Sequence, residues 1–119
     1  MLFSACEGGT DAHKEFINNT NSDLQLIIYR NDAIMTTDAV DTILVSANQH
    51  TDYYVGGGDR QFFDYPDCLT EIDSIQVTVA DGKTLIKNLM DVENWSKETS
   101  GNRSILHNCI IEINPEDIQ

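Results

Sequence analysis

Ile75-Gln76-Val77-Thr78-Val79-Ala80-Asp81-Gly82-Lys83-Thr84-Leu85-Ile86 is the stretch that decides the fold class. Ile75, Val77 and Val79 alternate with Gln76 and Thr78, the period of a strand with one dry face and one wet face. Asp81-Gly82 then supplies two residues that tolerate positive φ. The segment is expected to close as a type I′ hairpin with Lys83 to Lys87 as the returning strand.

Working outward, the same period recurs. Leu24, Leu26 and Ile28 share one face of a strand over 24–29, after the turn formers Thr20-Asn21-Ser22-Asp23. Ile43, Val45 and Ala47 mark a strand over 42–47, and His50 to Val55 reads as its partner, stopped by the flexible loop Gly56-Gly57-Gly58. Ile105, His107, Cys109, Ile111 and Ile113 line one face of the last strand, which Pro115 ends. A short strand is also expected over 14–19. Leu89, Val92 and Trp95 fall at helical spacing, which points to a short helix over 89–97 or a turn there.

About seven short strands separated by turns point to an all-β domain. The expected form is an antiparallel two-sheet β-sandwich of the immunoglobulin- or transthyretin-like kind, with a small barrel as the alternative.

At 119 residues the chain forms one domain that buries about two-thirds of its unfolded surface. Twenty acidic and seven basic residues give a net charge of −13. The basic residues are scattered singly, so no stripe exists to displace counterions from phosphates, and nucleic-acid binding is excluded. The same charge opposes docking of the folded domain on anionic lipid, so membrane contact is expected through a covalent anchor only.

Residues 1–6, Met1-Leu2-Phe3-Ser4-Ala5-Cys6, are apolar or small and end at a cysteine, after which the chain turns polar. This resembles the end of a lipoprotein signal, with Cys6 as the lipid attachment site, residues 7–12 as a flexible tether and 13–119 as the folded domain. With Cys6 spoken for, Cys68 and Cys109 either bridge across about 40 residues of chain or stay free.

Candidate chemistry is sparse. The three cysteines and His13, His50 and His107 show no zinc spacing, and the acidic run from Asp59 to Asp73 lacks the D-x-D-x-D-G calcium pattern. No metal, cofactor or catalytic set is expected, and no G-x-S-x-G elbow occurs. The one grouping that suggests ligand contact is aromatic: Tyr53, Tyr54, Phe62, Phe63 and Tyr65 surround the glycine run. On a loop such rings stack on sugars or anchor a protein; on strands they fill a core.

Taken together, Phe3-Ser4-Ala5-Cys6, Phe16-Ile17-Asn18-Asn19-Thr20, Asp73-Ser74-Ile75-Gln76-Val77 leading into Asp81-Gly82-Lys83, and Asn114-Pro115-Glu116-Asp117-Ile118 resemble a broad group of small Bacteroidetes lipoproteins of uncharacterised function. The resemblance implies a β-sandwich on a membrane anchor, exported to the periplasm or cell surface, and brings no catalytic residues. The expected role is binding of a protein or glycan. An acidic inhibitor or immunity-type protein facing a basic partner is the rival.

Overall fold

The computed structural model describes residues 9–31, 39–59, 65–101 and 104–119. Cys6, Phe62 and Phe63 lie outside these residues. Seven strands form two sheets: β1 (Gly9–Asn18), β2 (Leu24–Arg30), β3 (Ala39–Val45), β4 (His50–Asp59), β5 (Ile72–Val79), β6 (Ser96–Ser100) and β7 (Ile105–Ile113). One sheet has the order β4-β1-β7-β6 and the other β3-β2-β5, so the chain is an all-β sandwich. All pairs are antiparallel except β1 with β7, which run parallel.

The period-two reading accounts for the core. Leu24, Leu26 and Ile28 of β2 are fully buried and face Phe16 of β1 and Ile111 and Ile113 of β7 across the sandwich. Each such side chain contributes roughly 1.5–3 kcal/mol by leaving water. Phe16 meets Trp95 edge to face, at 5.5 Å between ring centroids. Buried Asn18 fastens the turn after β1: its Nδ2 donates to the carbonyls of Ser22 (2.8 Å) and Val45 (3.0 Å), and its Oδ1 accepts from Thr20 N (3.0 Å).

Four expectations need correction. The segment from Gly9 to Ala12, expected in a tether, is the first part of β1. Thr10 and Ala12 are buried because β4 and β7 flank them on both sides, and that pairing outweighs the flexible composition. The glycine run is likewise strand: Gly56, Gly57 and Gly58 pair with Ala12, Asp11 and Thr10. Glycine serves close approach there, since a Cβ on Gly57 would lie 2.6 Å from the Tyr54 hydroxyl and 3.2 Å from the Thr10 carbonyl.

The hairpin over 75–86 does not form. Asp81 and Gly82 do adopt positive φ (66° and 71°), as their chemistry requires. Lys83 to Lys87 nevertheless leaves β5, which pairs only with β2 among the described residues. Thr84 and Ile86 instead bond the backbone of Gln119 and Asp117, at 2.8–2.9 Å.

The helix over 89–97 is also absent. Val92–Asn94 makes one 3-10 turn, and β6 begins at Ser96. Asn88 and Asp91 side chains capture the amides of Met90 (2.9 Å) and Glu93 (3.0 Å), competing with helical bonds. Leu89 and Trp95 are buried while Val92 is exposed, so the three never shared a face.

Candidate functional site

The aromatic group does not assemble. Of the three described members of the group, Tyr53 and Tyr65 are buried and Tyr54, 55% exposed, offers its ring to solvent. On β4 the parity is inverted between neighbours, so Tyr53 turns in with Val55 while Tyr54 turns out with Asp52. Tyr53 donates its hydroxyl proton to Asp41, and Arg30 binds the Val55 carbonyl at 2.9 Å and lies 3.7 Å from Asp41. Burial, reinforced by the Asp41 bond, raises the Tyr53 pKa far above the ordinary phenol value. Tyr53 is thus a clamp between the sheets.

Tyr65 belongs to a second buried cluster. Lys14, wholly buried on the inward face of β1, donates from Nζ to Tyr65 Oη and to Glu71 Oε2, both at 2.6 Å. Its ammonium also lies 5.3 Å from the ring centres of Tyr65 and Trp95. Burial pushes the Lys14 pKa down, and the Glu71 carboxylate opposes that push. Burial, with Glu71 beside it, drives the Tyr65 phenol strongly up, so it stays protonated and donates to the Cys68 carbonyl at 3.2 Å. Cys68 and Cys109 are joined by a disulfide with Cα atoms 5.7 Å apart, against the same tyrosine. Every group here is closed off from solvent, so the cluster braces the fold.

The outward face of the four-stranded sheet is open. It carries Asp11, Glu15, Asp52, Glu98 and Glu112, and these strands place no lysine or arginine on it. Glu15 of β1 meets His50 and Asp52, two residues apart on β4, with donor atoms within 4.8 Å of one another because Glu15 pairs with Asp52 across β1 and β4. Among the described residues these could hold a divalent metal ion. Strand register brings them together, which spacing within one segment could not reveal. Next to them His13 packs its ring edge on Tyr54, at 5.1 Å.

A further opening lies beside β5. A cavity of about 430 Å³ separates that strand from residues 82–90 and is walled by Ile75, Val77, Leu85, Leu89 and Met90. The sequence signal for it was the alternation of Ile75 and Val77, which was assigned to a hairpin instead.

His107 sits at the rim of the core on β7, with Nδ1 3.1 Å from Thr99 Oγ1. Burial first, and the Lys97 ammonium second, lower its pKa below the ordinary imidazole value. The folded state therefore binds this proton less readily than the unfolded chain, and stability contributed here is complete above the ordinary value and falls as pH drops through it. An NMR titration is expected to place His107 below a free imidazole, and Lys97→Gln to move it upward.

These features define a disulfide-braced β-sandwich with one acidic face and one open edge. Compared with protein-family models, curated proteins and solved structures, the chain matches none.

Proposed function

We propose that the chain is a non-catalytic binding module, exported and held on the cell envelope by a lipid on Cys6, whose open edge beside β5 receives a partner protein. The observation that carries this reading is the groove at that edge, lined by aliphatic and polar side chains together, because a folded domain rarely leaves inward-facing aliphatic side chains such as Ile75 and Val77 half covered without a use for them. The disulfide supports export, since such bridges persist in oxidising compartments. With Tyr53 and Tyr65 buried and Tyr29 half-buried, Tyr54 is the one described tyrosine that stands more than half exposed, which favours a protein over a glycan.

Immobilised full-length chain is expected to retain a protein from envelope extracts while a glycan array stays blank. Retention of nothing by a folded sample would count against the reading. The acidic outer face favours a second reading, an inhibitor that covers a basic partner; binding there would weaken steeply with salt. Binding unaffected by salt would exclude it.

A further inference from the structure

Resting on the binding reading above, the open edge can be given a specific kind of occupant. In the sheet β3-β2-β5, β2 is covered on both sides and β5 on one. Ile75 and Val77 of β5 stand opposite Ile28 and Leu26 of β2 and point toward the same core. Leu26 and Ile28 are fully buried, whereas Ile75 and Val77 are only partly so. The difference comes from the far side of β5, where no strand pairs with it among the described residues.

Free strand edges are normally blunted with charge, proline or a bulge. β6, an edge of the other sheet, follows that rule with Lys97 and Glu98. From Ser74 to Val79, β5 carries neither charge nor proline, so its backbone groups remain available for pairing. The opposite wall, residues 83–87, is held away from β5 by its bonds to the C-terminus. The gap between them, about 430 Å³, falls within the range of roughly 300–1,000 Å³ typical of binding pockets.

Charge identifies the occupant. Among the described residues no acidic side chain lines this cavity, while Lys83 and Lys87 both do. Lys87 is engaged by the Glu112 carbonyl at 2.7 Å and by the Asp117 carboxylate at 3.9 Å, which leaves Lys83, exposed, as the cation that faces an occupant. A second copy pairing edge to edge would bring its own β5, which from Ser74 to Val79 carries no acidic residue to meet Lys83.

We propose that the groove beside β5 accepts an extended, acidic strand of a different protein, which pairs with the β5 backbone, sets alternate apolar side chains against Ile75 and Val77, and places carboxylates near Lys83. Pairing of this kind takes its affinity from main-chain bonds and its selectivity from alternate side-chain pockets.

The test is a titration of the isotope-labelled full chain with a capped peptide alternating valine and glutamate, followed by NMR. Amide shifts and slowed hydrogen exchange are expected from Ser74 to Thr78. Lys83→Glu, an exposed change, is expected to weaken binding about tenfold. The same peptide N-methylated along one edge is expected not to bind. Three results would each overturn the proposal: no perturbation of β5 up to millimolar peptide, equal binding of the N-methylated peptide, or shifts centred on the outer face of β1 and β4. Should envelope extracts still yield a partner whose retention is unchanged by Lys83→Glu, the binding module would stand and the groove would be removed from it.

Discussion

Glu71→Leu is expected to destabilise the chain by about 3–5 kcal/mol, because it leaves the Lys14 ammonium buried without its counter-charge. Lys14 is wholly enclosed and its ion pair with Glu71, at 2.6 Å, is equally enclosed. Domains of this size have about 5–15 kcal/mol of stability to lose, so urea unfolding at neutral pH will show a large shift in midpoint.

The variant also carries a pH signature. Glu71 is the main group holding the Lys14 pKa up against burial, so without it the amine falls further below its ordinary value. Between the folded and unfolded values the unfolded chain then binds more protons, and stability rises with pH. Glu71→Leu is therefore expected to recover part of its loss from pH 7 upward, more steeply than the native chain. Lys14→Met combined with Glu71→Leu removes both charges and is expected to lose less than Glu71→Leu alone. A double variant that loses the sum of the two single effects would show that the ion pair is not the source.

Much of the sandwich was readable because β2, β4 and β7 alternate apolar and polar residues over most of their length, and a one-residue slip would expose the whole core face. What alternation does not encode is where the next segment docks. Asp81 and Gly82 set the local φ angles correctly, but Lys83 to Lys87 gained backbone partners at the C-terminus instead of at β5. Composition misled at one end of the β1–β4 pair, where Gly9 to Ala12 and Gly56 to Gly58 read separately as flexible and become ordered by pairing with each other.

The site was less legible for the same reason. Parity along β4 assigns Tyr53 to the side of Val55, and parity along β1 assigns Lys14 to the side of Ala12 and Phe16, so both inward positions were implicit in the pattern. Their partners were not: Asp41, Glu71 and Tyr65 come from other elements, and only the packing of the sheets joins them. The Glu15, His50 and Asp52 set and the β5 groove are likewise products of register and of a missing neighbour. Neither leaves a local motif.

Replacing Cys68 and Cys109 together by Ser is expected to cost about 4 kcal/mol in the chain-entropy description of a bridge, given a sequence separation of 41. The bridge ties the segment before β5 to the interior strand β7, and so holds the two sheets together beside β5, which among the described residues pairs with β2 alone. Lys14 pairs with Cys109 across β1 and β7, and both Lys14 and Cys68 bond Tyr65, so the ion pair and the disulfide share one tyrosine. Their contributions should therefore not be independent. Glu71→Leu in the bridge-free chain is expected to leave little or no folded population, because the two losses together approach the whole stability of an ordinary domain. Urea unfolding of the four combinations measures the coupling. If the bridge-free chain unfolds at the native midpoint, the disulfide does not brace this end of the sandwich. Measured in the same samples, amide exchange at Ile72 to Val79 should rise first when the bridge is removed, since β5 loses the covalent tie just upstream of it and keeps only its pairing with β2.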